Sequence, residues 1–222
     1  SGRASYLQDA QTGDMRVGRF GWKAEVASVE QEAARASAAD LGVGNSLFPD
    51  SAGSIELVDD ELSDLVTYLR LIGVPPQRNA SETEVAQGEQ LFTAVGCAAC
   101  HLSTLLTGPD HPFAELRSQT IRPFTDLLLH DMGEDLADDS GVLPQNSSSA
   151  PAYAAEWRTP PLWGLGLATT VNSNARLLHD GRAATILEAI LWHGGEAIPS
   201  IDHFKALTKP DRDALLAFLG SL

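Results

Sequence analysis

Cysteine and methionine are nearly absent from this chain of 222 residues, which contains two of each. Both cysteines, Cys97 and Cys100, lie in one short stretch, VGCAACHL. Two cysteines cannot build the disulfide framework that holds many small secreted domains together. Apolar packing must therefore hold the fold, and a chain of this length can bury a sizeable core.

Positive charge is also scarce, since 15 basic residues stand against 30 acidic residues and the formal net charge is -15. Such an acidic surface repels nucleic acid and anionic membranes, so neither is expected as a partner. No apolar run approaches the roughly 20 residues of a membrane helix, and no transmembrane segment is expected. The start, SGRASYLQDA, has no basic-then-apolar pattern, so we expect any export leader to be removed or to lie outside this sequence.

Sustained strand alternation is missing as well, which leaves helical periodicity as the main structural signal. Helices are predicted at 25–43, 58–76, 82–96, 185–193 and 209–222. Asp59 or Asp60 is expected to cap the second of these helices, and Gly73 with Pro75 is expected to end it. Loops and short helices are expected over 105–159, with a polar surface excursion near 133–156. The predicted fold class is mainly α, with long loops.

One apolar pattern occurs twice, 150 positions apart. Its two copies are Leu65, Val66, Tyr68, Leu69 and Ile72, and Leu215, Leu216, Phe218, Leu219 and Leu222. Amphipathic faces are common, so a chance similarity stays open. The alternative is that each helix closes a similar domain, with a boundary at Pro75.

The cysteine stretch is the most informative motif of the chain. C-x-x-C alone suggests a redox pair or half a zinc site, but the chain has no second cysteine pair and no βαβ context. C-x-x-C-H instead is typical of c-type haem attachment. Cys97 and Cys100 would form thioethers with the two vinyl groups, and the imidazole of His101 would bind the iron. One covalently bound haem c is therefore predicted in this chain.

The sixth iron ligand is less clearly indicated. Met132, 31 positions after His101, is the first candidate, because the chain between them is long enough to pass around the ring edge. A lone methionine is more often core filler, and His130 and His179 remain alternatives. His193, in the sequence WHGG, could line the pocket.

Other residues are candidates for the surroundings of the cofactor. Arg182 can pair with a haem propionate, although an exposed ion pair explains it equally well. Trp163 is expected to pack against the cofactor or the core, as are Trp157 and Trp192. Trp22 could relay electrons toward a second haem, or it could simply be buried.

Several long motifs occur in a fixed order along the chain: GRFGWKAEVASVEQEAA, GEQLFTAVGCAACH, FTDLLLHDMGEDLAD, EWRTPPLWGLGL, LLHDGRAATILEAILWHGGEA and DALLAFLGSL. With these motifs the chain resembles the dihaem oxidoreductase family, which is described as thiol oxidoreductase-like or peroxidase-like. The family is distantly related to the bacterial dihaem cytochrome c peroxidases. The resemblance extends over nearly the whole chain and is more specific than the haem motif alone.

The resemblance implies two cytochrome c-like domains, each with one haem, in an exported protein. Only one haem motif is present here. Residues 1–78 would therefore be the tail of the N-terminal cytochrome c-like domain and the crossover, and 79–222 the C-terminal haem domain. The second haem would belong to the missing N-terminal domain. The peroxidase relatives carry a methionine or tyrosine ligand just before an HDG-like motif, where this chain has Leu178, which cannot bind iron.

Three functions remain open at this stage. The first is the electron-transfer portion of an exported, periplasmic peroxidase-like enzyme, with a small redox protein as electron donor or acceptor. The second is an electron-transfer cytochrome without catalysis. The third is a redox component of an iron-uptake system. Thiol chemistry has no support in the residues, because no free cysteine would remain for exchange with a substrate thiol.

Overall fold

The computed structural model describes residues 2–138 and 154–222, which contain seven α-helices, six short β-strands and five 3-10 helices. The α-helices are α1 Val29–Leu41, α2 Asp59–Leu71, α3 Thr83–Ala94, α4 Ala168–Val171, α5 Ile186–Trp192, α6 Ile198–Ala206 and α7 Lys209–Ser221. The strands are β1 Tyr6–Gln8, β2 Met15–Val17, β3 Leu105–Leu106, β4 Thr120–Ile121, β5 Leu129–Asp131 and β6 Glu156–Arg158. The mainly α fold class is confirmed.

All five predicted helices are present, and local caps explain where three of them begin. Ser28, Thr185 and Thr208 each accept a hydrogen bond from a backbone N–H in the first turn of the helix that follows. The predicted cap of α2 is wrong, because Val58 is its N-cap residue and no side chain bonds there. Asp59 and Asp60 instead lie in the first turn, where carboxylates interact favourably with the helix dipole.

The main core forms where α3 crosses α7. Its buried side chains are Val85, Phe92, Val95, Phe124, Phe204, Leu215, Phe218, Leu219 and Leu222. Gly88 lies at the crossing, where a β-carbon would lie 2.0 Å from the carbonyl oxygen of Ala214. Only glycine permits this approach, because it has no β-carbon. The backbones of α3 and α7 can therefore lie in contact, and the end of α3 brings the cysteines to the core.

A second, smaller core joins α1 to α2. Ala33, Ala34, Leu62 and Val66 are buried there. The loop between the helices is held by the side chain of Asn45, which donates to the carbonyl of Ala34 and accepts from the N–H of Phe48. These bonds satisfy the buried polar groups of an irregular loop.

The repeated apolar pattern has opposite environments in its two copies. On α7, Leu215, Phe218 and Leu219 are buried in the main core. On α2 the outer side chains remain at the surface, with Tyr68 66% exposed and Ile72 52% exposed. The face that packs against α3 in one copy is therefore open to solvent in the other.

The strands form three two-stranded antiparallel sheets. They are two or three residues long, so they are too short to show the alternation that sequence patterns detect. Residues near the start of the chain reach the later sheet, since Arg3 pairs with Leu129 and the N–H of Arg158 donates to the carbonyl of Trp22. These contacts do not decide whether a domain boundary lies at residue 78, which stays a prediction.

Two helices were not predicted. The first, α4, is a single turn, and α6 follows the Gly194–Gly195 break with a proline in its first turn. Much of the polar stretch predicted as a surface excursion falls at 139–153, outside the described residues. Over the described ranges, no helix combines the length and apolarity needed to span a bilayer.

Candidate functional site

The cysteine stretch follows directly from the end of α3. Val95 is the C-cap, and Gly96 takes the left-handed conformation with φ 97°, which turns the chain sharply. A 3-10 helix, Cys97–Ala99, follows, and the N–H of His101 donates to the carbonyl of Cys97 at 3.0 Å. This turn places two thiols and an imidazole on one short loop against the main core. Neither cysteine forms a disulfide.

The imidazole of His101 is held by a backbone carbonyl. Its Nδ1 lies 2.9 Å from the carbonyl oxygen of Phe124. Because a carbonyl oxygen can only accept, Nδ1 carries the proton and Nε2 keeps its lone pair. Burial lowers the pKa of His101 to about 4, so the ring is neutral at physiological pH. A neutral ring fixed through Nδ1 is the form in which histidine binds iron.

Phe124 adopts an uncommon backbone conformation at this point. Its φ is 53°, in the left-handed region, although its side chain is bulky and buried. Such a conformation costs on the order of 1–3 kcal/mol and persists where the surrounding packing holds it. Edge-to-face contacts of its ring with Phe92 and Phe218 supply that packing. The conformation directs the carbonyl to His101.

The walls around the loop are apolar. Leu162, Leu165, Ile186 and Ile190 are partly buried against the main core, together with Cys97. Burial raises the pKa of the Cys97 thiol to about 11. The loop therefore faces a low-polarity environment suited to a large flat apolar group.

The donor set fits haem better than a bare metal ion. Among residues 2–138 and 154–222, no three His, Cys, Asp or Glu side chains converge on a site for an ion. His101 instead offers one imidazole nitrogen in an apolar setting. Such a set suits a group that brings its own equatorial nitrogens, as a porphyrin does. The two adjacent thiols match the edge by which a c-type haem is attached.

A buried imidazolium lies beside the second cysteine. His130 is 4% exposed, and its Nδ1 is 3.5 Å from the Sγ of Cys100. Its Nε2 donates to Asp126 at 2.8 Å, and its Nδ1 lies 3.1 Å from a carboxylate oxygen of Glu196. The hydrogen bond to Asp126, with those to Cys100 and Glu196, raises the pKa of His130 to about 10 against the effect of burial. His130 is thus charged and linked to carboxylates through both nitrogens.

This arrangement makes stability depend on pH. The pKa of His130 is higher in the folded protein than in the unfolded chain. Its contribution to the free energy of unfolding is therefore complete below about pH 6 and is lost as the pH rises toward 10. Because breaking a buried ion pair costs about 3–5 kcal/mol, His130→Gln should lower the free energy of unfolding by roughly that amount near pH 6. Urea unfolding of both proteins at several pH values measures the difference. A difference that grows from neutral to alkaline pH would contradict the assignment.

The other predicted site residues lie at varied distances from this loop. The N–H of Met132 donates to the carbonyl of Ala155, next to β5 and β6. Trp163 lines a cavity of about 240 Å³ together with Phe124, the residue whose carbonyl holds His101. The roles predicted for Met132 and Trp163 stay predictions.

His179 and Arg182 belong to a neighbouring network. The ring of His179 stacks on Trp157 with 3.5 Å between centroids, and the Nζ of Lys23 lies 3.3 Å from the centroid of the same tryptophan. Arg182 pairs with Asp180 and lies over the ring of Trp192. These contacts engage both side chains within the protein, and their predicted roles toward a cofactor remain untested.

Sequence reasoning missed several residues that shape the site. The carbonyl of Phe124 and the carboxylate of Glu196 have no signal in the sequence, because they act through contacts between distant segments. Asp126 is only four positions from His130, but the segment between them is not helical, so this spacing did not predict their contact. His193 was identified only as a residue that could line the pocket. Its spacing from Ile186 and Ile190 was the available signal, since positions i, i+4 and i+7 share one helix face.

Among known proteins, no curated protein matches this chain. A solved chain of hydrazine synthase from Kuenenia stuttgartiensis, studied under 20 bar xenon, has a similar fold with a TM-score of 0.53 at 19% identity. The match covers 88% of this chain and 62% of that one, so this chain spans less than two thirds of that solved chain.

The family comparison is more specific. The model of the family described as "Di-haem oxidoreductase, putative peroxidase" matches residues 1–222. Haem binding is implied by that membership, and the donor set around His101 is consistent with it. Because this family model matches residues 1–222, the chain belongs to the di-haem oxidoreductase family.

Proposed function

We propose that this chain is the C-terminal electron-transfer domain of an exported, peroxidase-like di-haem oxidoreductase. One haem c would be attached covalently through Cys97 and Cys100, with His101 as the proximal ligand. The observation that carries the proposal is the Nδ1 bond of His101 to the Phe124 carbonyl, which leaves Nε2 free beside two unpaired cysteines. The resulting domain would be cytochrome c-like, with α3 and α7 crossing behind the haem loop.

The haem, when bound, supplies reversible one-electron chemistry at its iron. The residues of the chain prepare its surroundings. The Phe124 carbonyl orients the ring of His101 and makes Nε2 a better donor. Ile186 and Ile190 exclude water from the apolar walls, while the clamp of Asp126 and Glu196 holds His130 beside Cys100.

A partner domain is proposed on the open face of α2. The repeated apolar pattern of α2 and α7 supports a partner at this position. The face of α2 that carries Tyr68 and Ile72 corresponds to the face that α7 buries against α3. We propose that the missing N-terminal haem domain covers this face with a helix equivalent to α3. Residues 1–78 would then belong in part to that domain, and the second haem would lie within it.

The catalytic step is assigned to the missing domain. That domain would hold the site for peroxide or another small oxidant, while Cys97, Cys100 and His101 would hold a haem suited to electron transfer from a small redox protein. Covalent haem attachment takes place outside the bacterial cytoplasm, which supports a periplasmic location. The acidic surface, with a formal net charge of -15, favours a basic redox partner.

The experiment compares this chain with the longer protein after haem attachment. The chain alone is expected to contain one covalent haem, to accept electrons quickly from a reduced small cytochrome, and to show no peroxide turnover. The longer protein is expected to turn over peroxide. Turnover by the chain alone would contradict the electron-transfer assignment. Absence of turnover in both proteins would instead support an electron-transfer cytochrome without catalysis.

A further inference from the structure

A second histidine resembles His101 in carrying its proton on Nδ1 and in having no hydrogen bond at Nε2 within the part of the chain that the structure describes. His193 follows α5, and its Nδ1 lies 2.6 Å from the carbonyl oxygen of Ala189. The carbonyl can only accept, so Nδ1 carries the proton and Nε2 keeps its lone pair. Over residues 2–138 and 154–222, Nε2 of His193 has no hydrogen-bond partner, and the same is true of Nε2 of His101.

The position of His193 brings it to the haem loop. It continues the face of α5 that carries Ile186 and Ile190, and both isoleucines pack against the main core together with Cys97. The ring of His193 therefore lies on the side of α5 that faces the haem loop, and His193 and His101 are both partly buried.

The other candidates for the sixth iron ligand are less suitably held than His193. Both nitrogens of His130 are engaged by carboxylates, and the ring of His179 stacks on Trp157. Met132 reaches the same neighbourhood, because a β-carbon on Gly194 would lie 2.6 Å from the carbonyl oxygen of Met132. A methionine side chain has no N–H by which a backbone carbonyl could orient it, whereas His193 is held by such a carbonyl, as iron-binding histidines usually are.

We infer that His193 is the sixth ligand of the haem iron, so that an imidazole binds on each side. The inference rests on the proposed haem attachment at Cys97 and Cys100, and it replaces Met132 as the ligand. Because methionine raises the potential of a haem relative to a second imidazole, the haem of this chain should have a lower reduction potential than a His/Met haem.

The test uses the full chain matured with haem. Its oxidised form should show the low-spin electron paramagnetic resonance of two imidazole ligands and no weak red band from methionine sulfur to ferric iron. His193→Ala should convert the iron to high spin, and added imidazole should restore the low-spin signal. His193→Met should raise the reduction potential and introduce the methionine band. If His193→Ala fails to accumulate, the reduction potential and the absorption spectrum of His193→Met still test the inference.

Two matched controls accompany these variants. His203 is exposed and its Nδ1 also lies near a backbone carbonyl, that of Val95, so His203→Ala should leave the spectrum unchanged. Met132→Leu should leave it unchanged as well. A methionine band in the unmodified protein that disappears in Met132→Leu would overturn the inference. Unmodified protein without covalent haem would overturn the proposed function itself, which separates the two failures.

Discussion

Replacing both Cys97 and Cys100 with alanine is expected to abolish covalent haem attachment and to leave the helices in place. The thioether bonds would have no other thiol to form on, since the chain contains only these two cysteines. Neither cysteine belongs to the fully buried α3–α7 core, although Cys97 packs against it, so the helices should tolerate the loss of both thiols. Intact mass and the pyridine haemochrome spectrum measure the loss, and far-UV circular dichroism measures the helices.

Ser103→Ala is a suitable control for this loss, because Ser103 is an exposed neighbour on the same loop. It should retain one haem per chain. A double cysteine variant that still carries covalent haem would refute the attachment site. A map that shows the two sulfurs of the unmodified protein joined to each other would refute it as well.

Phe218→Ala is expected to lower the free energy of unfolding by about 3–5 kcal/mol, a large share of the roughly 5–15 kcal/mol that stabilises a typical domain. Phe218 has no exposed surface, and its ring centroid lies 5.4 Å from that of Phe92 and 5.6 Å from that of Phe124. The cavity would also loosen Phe124, whose carbonyl orients His101. Urea unfolding of the 222-residue chain measures the change.

Tyr68 supplies the matched control, because it occupies the equivalent position of the repeated pattern on α2. It is 66% exposed, so Tyr68→Ala should change the stability of this chain by no more than about 0.5 kcal/mol. In the longer protein the same variant should be clearly destabilising if the N-terminal domain covers that face. Equal effects of Phe218→Ala and Tyr68→Ala in the short chain would be inconsistent with the described core.

The helices could be predicted because their periodicity and ends are local. Thr208 and Pro210 lie within three consecutive residues at the start of α7, and Gly96 follows the C-cap residue of α3. The strands could not be predicted, since a pair such as β5 and β6 is three residues long and joins segments far apart in the chain. The sequence showed only that α2 shares an apolar pattern with α7. The tertiary structure was needed to show that the outer face of α2 is exposed.

The sequence by itself supplied the prediction of covalent haem attachment, because C-x-x-C-H places two thiols and an imidazole within five consecutive residues. It also determined the mainly α class through helical periodicity. Only the tertiary structure decided which groups surround His101, the predicted iron ligand. The partner of His101 is 23 positions away, and Glu196 is 66 positions from His130. Contacts at such separations depend on how the helices pack, which short-range patterns do not specify.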